Sequence, residues 1–312
     1  MYMSAKHGFK KQLFEFTIFV IILITLIFII FLIEKQSKKS PTDGVNENLE
    51  KLSSIELEEI GFKKLKNPIT FEDGMKYLEA ATFKGSSAAA KEVGLRYAWG
   101  NGVPQDKWKA QSFLRYSYDE VSRYTLGTLI FEEAQSEFEY KEAYDCFNKS
   151  TYGEYDNYSE YMLGYMNYYG LGTLKNYKLA YYYFDASTKR PNSDTTYGAD
   201  MLGLGHAKYY LGIMSMEGFG CKKDNRKAEW YFTSCIMSNA CEFMLGVMHF
   251  NGLCERSSKK MAAYYIKKAY DNEAFKNHDR EFKTKARQFW DHNELWRYYE
   301  EPTHNGFNGG FN

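Results

Sequence analysis

A fixed spacing between a glycine and an alanine recurs along this chain and constrains its fold more than any other feature. In five segments, a glycine that follows an apolar residue is itself followed by an alanine sixteen positions later. The pairs are Gly94 and Ala110, Gly127 and Ala143, Gly164 and Ala180, Gly212 and Ala228, and Gly246 and Ala262. The glycines are 33, 37, 48 and 34 residues apart, so insertions fall only between units. This period predicts a stack of rigid helical hairpins.

Each unit has the residues that two helices and a tight turn require. Glycine inside a helix costs roughly 1 kcal/mol relative to alanine, so we expect another helix to pass too close to helix A for a side chain. Further glycines lie six and eight positions later in most units, where they suit the left-handed turn that ends a helix. Capping side chains twelve positions after the glycine predict the start of helix B: Asp106, Asn176, Asp224 and Ser258.

Bulky pairs follow the alanine of helix B at its third and fourth places, and we predict that they fill the seam between hairpins. The pairs are Phe113 and Leu114, Cys146 and Phe147, Tyr183 and Phe184, Tyr231 and Phe232, and Tyr265 and Ile266. The second unit departs from the pattern, with Glu133 and Gln135 in place of the turn glycines and Glu139 at the cap position. We interpret it as a degenerate repeat.

Strings such as YMLGYMNYYGLGTLKNYKLAYYYF and YYLGIMSMEGFGCKKDNRKAEWYF resemble the Sel-1-like repeat family, a relative of the tetratricopeptide repeat. The resemblance implies an all-α fold, a right-handed α/α solenoid of about five hairpins over residues 71–275. EDGMKYLEAATFKG is similar to a lone helix B in front of the stack. Aromatic residues in 276–300 predict a C-terminal helix that caps the stack: Phe289, Trp290, Trp296 and Tyr299. The tail, residues 301–312, is too rich in glycine and asparagine to fold alone.

Residues 13–33 form an apolar run whose one charge is Glu15, long enough for a helix that spans a hydrocarbon core of about 30 Å. We predict a single transmembrane helix, preceded by a short segment (1–12) and followed by a tether (34–70). Three lysines lie on each side of the run, and the terminal amine and Glu34 favour a cytoplasmic amino end. In a bacterium, this orientation predicts an inner-membrane protein with periplasmic repeats.

Composition and motifs argue against several classes of function. Forty basic and forty acidic side chains give no net charge, which argues against nucleic acid as a partner. The chain has no HExxH motif, phosphate loop, GxSxG elbow or cysteine pair with zinc spacing, so we predict no enzyme, metal or cofactor. Cys235 and Cys241 either pair, as in cysteine-rich members of the family, or are small buried residues. His249 is interpreted as a packed or surface residue.

The remaining candidate is a surface. Stacked hairpins curve, and we expect their concave side, lined by A helices, to bind another protein. The predicted contact residues lie in or near the ends of the A helices: Arg96, Trp99, Tyr168, Tyr169, Glu217 and Asn251. An insertion at residues 190–205 is a second candidate, either a loop that confers partner specificity or a tolerated surface loop.

The resemblance therefore implies a scaffold or adaptor that is anchored in the membrane. A narrower form is an immunity protein, since some relatives neutralise secreted toxic effectors, and a toxin would then occupy the groove. The alternative class is an enzyme of the cell envelope or its accessory factor.

Overall fold

The computed structural model describes residues 47–151, 156–189, 199–235, 238–271 and 280–300. Within these ranges the chain forms α-helices and two short 3₁₀ helices, Pro68–Thr70 and Leu295–Arg297, and no β-strand. The α-helices are α1 (Glu47–Glu50), α2 (Ser54–Leu65), α3 (Phe71–Phe83), α4 (Ser87–Trp99), α5 (Lys107–Leu114), α6 (Glu120–Glu133), α7 (Glu137–Asn148), α8 (Asp156–Tyr169), α9 (Tyr177–Lys189), α10 (Ala199–Glu217), α11 (Asn225–Ser234), α12 (Asn239–Phe250), α13 (Lys259–Asp271) and α14 (Arg280–His292).

The chain divides into two compact units, one that ends at Val93 and one that begins at Gly94. In the repeat region from Ser87 onward, the even-numbered helices from α4 to α12 are the A helices, and the odd-numbered helices from α5 to α13 are the B helices. Helices α5, α7, α9 and α11 each contact the A helix that follows them, so successive hairpins pack on one another. An all-helical stack of hairpins is therefore present, as the period predicts.

The repeated glycine is a point of close contact within each hairpin. A Cβ atom added to Gly94 would lie 2.6 Å from Leu114, and one added to Gly246 would lie 2.5 Å from Ile266. A Cβ added to Gly164 would lie 2.7 Å from the ring of Phe184, and one added to Gly212 would lie 2.4 Å from the ring of Phe232. The second member of each bulky pair therefore packs on the glycine of its own hairpin.

The second member also reaches the neighbouring hairpin, as predicted for the seam: Phe184 of the third hairpin stacks on Tyr210 of the fourth, with ring centroids 4.9 Å apart. The first member reaches the neighbouring hairpin at two places. The Tyr231 hydroxyl forms a hydrogen bond with the Tyr181 hydroxyl at 3.2 Å, and Tyr183 forms one with Tyr144.

The predicted turns and caps are confirmed in the units that have them. Gly100, Gly170, Gly218 and Gly252, which follow the A helices, have φ angles between 70° and 79°. The predicted caps each accept a hydrogen bond from a backbone N–H three residues later, at 2.9 to 3.1 Å. They are Asp106, Asn176, Asp224 and Ser258.

The second hairpin forms with a shorter turn and a different cap. Helix α6 ends at Glu133 and α7 begins at Glu137, so the cap is Ser136 and not Glu139. Ser136 Oγ accepts from the Glu139 backbone N–H at 3.3 Å, and the Glu139 carboxylate accepts from the Ser136 N–H at 2.9 Å. Helix α6 ends in extended backbone at Ala134, so this turn needs no left-handed glycine, and the capping box starts α7.

The first unit contains a further hairpin that the sixteen-residue spacing does not reveal. Helix α2 lies within the predicted tether and packs against α3, so the tether prediction is wrong for this stretch and α3 is not a lone helix B. A Cβ added to Gly61 would lie 2.6 Å from Leu78, the same contact that the repeat glycines make. Gly74 takes the place of the alanine, thirteen positions after Gly61.

Three other predictions concern the ends and the insertion. Helix α14 packs against α12 and α13, and Trp290 is buried beside Tyr299, whereas Trp296 is 57% exposed. Part of the insertion, from Ala199 onward, belongs to α10, so it is helix and not loop; residues 190–198 lie outside the described residues. The segments 1–12, 13–33 and 301–312 also lie outside them, and no helix in the described ranges is long and apolar enough to cross a bilayer.

Candidate partner-binding surface

Equivalent residues at the ends of the A helices form a row of exposed side chains. Each lies five positions after the repeat glycine, and each is exposed. We call these residues the exposed row: Trp99, Glu132, Tyr169, Glu217 and Asn251. Trp99 is 59% and Tyr169 46% exposed, although large aromatic side chains are usually more deeply buried.

The turn glycines fix where this row lies. In the third unit the N–H of Gly170 donates to the carbonyl of Met166 at 2.8 Å, and in the fourth the N–H of Gly218 donates to Met214 at 2.8 Å. These bonds close the last turn of the helix, so the residue before each glycine is held at the helix end. The row is therefore built on regular backbone.

Four of the predicted contact residues belong to the exposed row, and the sequence analysis missed the fifth member, Glu132. Counting five positions from Gly127 would have found it. The Glu132 carboxylate accepts a hydrogen bond from Lys107 Nζ at 2.7 Å. One of the two carboxylates of the row thus already has a cationic partner within the protein.

Tyr168, the fifth predicted contact residue, lies in a cluster of tyrosine rings. Its ring centroid is 5.0 Å from that of Tyr169 and 5.2 Å from those of Tyr177 and Tyr210. Burial raises the pKa of Tyr168 to about 12, and nearby tyrosines and Glu217 add to the shift. Tyr168 therefore packs beneath the row, and Tyr169 is the residue of this pair that faces solvent.

Arg96, the sixth predicted contact residue, lies at a different repeat position. It is two positions after the glycine, where Met166, Met214 and Met248 are buried in later units. Its Nη1 donates to the carbonyl of Asn101 at 3.2 Å, so the guanidinium folds back onto the turn of its own hairpin. The structure thus separates Arg96 from the exposed row.

The side chains of the exposed row are of the types that bind other proteins. Trp and Tyr supply much of the binding energy at protein interfaces, because they bury a large apolar area with few rotatable bonds. Glu217 adds a negative charge and Asn251 an amide that both donates and accepts hydrogen bonds. A partner with apolar pockets and at least one basic side chain would complement this row.

The two cysteines that the sequence left open are paired. Cys235, which follows α11, and Cys241, in the first turn of α12, form a disulfide across the junction between the fourth and fifth hairpins. Cys146, Cys221 and Cys254 are free thiols.

Comparison with known proteins identifies the repeat. The Sel1 repeat profile matches residues 87–120, 157–190, 205–234 and 239–273, that is, every hairpin from α4 to α13 except the degenerate second one. No curated protein matches the chain.

Two solved structures are similar to this chain at low identity. One is c5321, a protective antigen present in uropathogenic Escherichia coli strains that displays an SLR fold; it is 16% identical, with a TM-score of 0.44, over 80% of this chain and 60% of c5321. The other is a Sel1 repeat protein from Oxalobacter formigenes, 18% identical, with a TM-score of 0.48, over 70% of this chain and 88% of that protein. This chain thus spans about 60% of the length of c5321.

Sel1-repeat proteins generally act as protein–protein interaction modules, and the family is typically non-catalytic. Four segments of this chain therefore match the Sel1 repeat.

Proposed function

We propose that this protein is a membrane-anchored interaction module whose Sel1 repeats bind another protein through the exposed row. The observation that carries the proposal is the recurrence of exposed side chains at one repeat position, with aromatic residues at two of the five places. Exposed aromatic residues lose apolar hydration in a complex, which favours binding. The predicted span at residues 13–33 supplies the anchor.

A periplasmic location of the repeats is part of the proposal. Disulfides persist in oxidising compartments such as the bacterial periplasm and are rare in the cytosol. The Cys235–Cys241 bond therefore supports the orientation that the flanking charges favour. Protease treatment of spheroplasts would test it: the repeats should be digested from outside, and protection of the repeats would contradict the orientation.

The binding proposal is tested by capture of partners from solubilised membranes with the tagged full-length protein. In the test variant Trp99 and Tyr169 are both changed to alanine. In the matched control variant Trp108 and Tyr182, which are 81% and 63% exposed on B helices, are both changed to alanine.

We expect the test variant to bind its partner roughly 30-fold more weakly than the wild type, which corresponds to about 2 kcal/mol for the loss of interface anchors. The control variant should capture the partner as the wild type does. Both variants should stay folded at the temperature of the assay, although the test variant should melt somewhat lower because it loses the Tyr169 ring contacts and the hydroxyl bond to Tyr210. Equal capture by all three proteins would refute the exposed row as the binding surface.

The narrower form of the proposal is an immunity protein that neutralises a secreted toxic effector. An anchored periplasmic binder would meet such an effector as it enters the envelope. A strain that lacks this gene should then die beside toxin-producing siblings, and its survival would eliminate the immunity function while leaving the binding proposal intact.

A further inference from the structure

Three side chains of the kinds that bind transition metals meet at the junction between the fourth and fifth hairpins. Glu229 lies on α11, His249 on α12, and Cys254 in the turn after α12. One ligand atom from each residue lies within 4.8 Å of the other two. His249 and Cys254 are each 6% exposed, so the cluster is largely shielded from water.

The repeat itself does not require these residue types. The three positions are one after the alanine of one unit, and three and eight after the glycine of the next. At the junction of the second and third units the first two positions also meet, because Asn167 Nδ2 donates to the Tyr144 hydroxyl at 3.3 Å. The corresponding sets at the earlier junctions are Gln111, Ile130 and Gln135; Tyr144, Asn167 and Gly172; and Tyr181, Ser215 and Gly220.

The imidazole of His249 is held in place but lacks a partner on one side. Its Nδ1 is buried and makes no hydrogen bond. Its ring lies parallel to that of Tyr265, with an interplanar angle of 4° and centroids 5.4 Å apart. Buried polar atoms are nearly always satisfied in folded proteins, so His249 has a nitrogen that is free to accept a ligand, on a ring that also meets a thiol and a carboxylate.

Cys254 replaces a glycine that the other turns need. A Cβ added to Gly172 or Gly220 would lie 2.3 or 2.2 Å from the backbone of the preceding helix B. Among the described residues Glu294 is the one non-glycine with a positive φ, so the backbone at Cys254 differs from that of these glycines. Ser257 holds this altered turn: its Oγ accepts from the Cys254 N–H at 3.0 Å and donates to the Cys254 carbonyl at 2.8 Å.

We propose that Glu229, His249 and Cys254 bind a zinc ion that links the fourth hairpin to the fifth. Zinc accepts thiolate, imidazole and carboxylate ligands together, which harder or softer metals do less readily. Its bonds of about 2.0–2.3 Å place tetrahedral ligands roughly 3.5 Å apart. The three atoms lie within 4.8 Å of one another, so they must approach by at most about 1.3 Å. The thiol binds as thiolate and releases its proton to solvent. Water fills the fourth position.

The test is titration of the metal-free full-length protein with Zn²⁺ by calorimetry. We expect one ion per chain, and a rise in melting temperature that grows with zinc concentration because the ion binds the folded state. Cys254→Ser and His249→Gln should each weaken zinc binding by roughly 100-fold or more. Loss of a residue that only supports a ligand weakens binding by up to about 100-fold, and loss of a direct ligand should cost at least as much. With Co²⁺ in place of zinc, a thiolate charge-transfer band should appear in the wild type and not in Cys254→Ser.

Two controls make the result specific. Cys146→Ser removes a free thiol in the second hairpin, and His292→Gln removes an exposed histidine at the end of α14; neither should change the affinity. If His249→Gln fails to fold, the zinc affinity of Cys254→Ser is compared with that of the wild type instead, because serine is nearly isosteric with cysteine. Absence of zinc binding, or equal binding by wild type and Cys254→Ser, would overturn the proposal.

Discussion

Replacement of Gly164 by leucine is the sharpest test of how the hairpins pack. A Cβ at this position would lie 2.7 Å from Cδ1 and 2.8 Å from Cε1 of Phe184. The Phe184 side chain is fully buried and stacks on Tyr210 with centroids 4.9 Å apart, so the ring has no free space to enter. Overpacking of this kind costs about 3 kcal/mol at the upper end of its range, and the better helix propensity of leucine returns about 1 kcal/mol.

We therefore expect Gly164→Leu to lower the free energy of unfolding by about 2 kcal/mol, measured by urea titration of the full-length protein and far-ultraviolet circular dichroism. The double variant with Phe184→Ala should lose less stability than the sum of the two single losses, because removing the ring also removes the clash. Gly127→Ala is a graded control: its Cβ would meet Cys146 and Phe147 at 3.1 Å, a looser contact. Wild-type stability of Gly164→Leu, or strict additivity with Phe184→Ala, would refute the close approach of the two helices.

Three further predictions concern stability. Reduction of the Cys235–Cys241 bond, which closes a loop with a sequence separation of 6, should cost about 2 kcal/mol, and unchanged melting in reductant would contradict this. Asp224→Ala should lower the free energy of unfolding by about 1 kcal/mol because it removes the side-chain cap of α11. Asp224→Asn keeps a capping oxygen and should melt like the wild type. Equal losses of stability in the two variants would show that the charge matters and not the cap. Burial raises the pKa values of Tyr168 and Tyr183 from 10.0 to about 12, so the folded protein holds these two protons more tightly than the unfolded chain does. The stability that the two tyrosines contribute is therefore complete below pH 10 and is lost as the pH rises toward 12. Ultraviolet titration of the tyrosines should show this shift, and a single transition near pH 10 in the folded protein would rule it out.

The sequence predicts those parts of the fold that recur. Glycine, cap and alanine each have a local physical reason to occupy one position, so their repetition identifies the hairpins from α4 to α13 and the left-handed turns between their helices. The same register locates Trp99 and Tyr169 at helix ends, where the structure finds them exposed.

Departures from the register account for what sequence reasoning missed. The α2–α3 hairpin keeps the glycine contact but shortens the spacing and replaces alanine by Gly74, so the repeat pattern does not reveal it. Tyr168 and Tyr169 are adjacent in sequence and both contact Tyr210, and the sequence does not show that Tyr168 also packs on Tyr177 and is the half-buried residue of the two.

The cluster of Glu229, His249 and Cys254 was missed for a different reason. Its members come from two helices and a turn, and Glu229 is twenty residues from His249. Motif spacing finds metal ligands that lie on one element, whereas this set forms only when two hairpins stack. The sequence-based prediction of no metal rested on the absence of such a motif.

Site-specific photocrosslinking in living cells tests the central claim most directly. A photoreactive amino acid would replace Tyr169 in the exposed row and, in a separate protein, Tyr182 on α9. The proposal predicts that a discrete crosslinked partner forms from position 169 and not from position 182. Crosslinks from position 182 alone, or none from position 169 at full expression, would contradict a partner bound at the ends of the A helices.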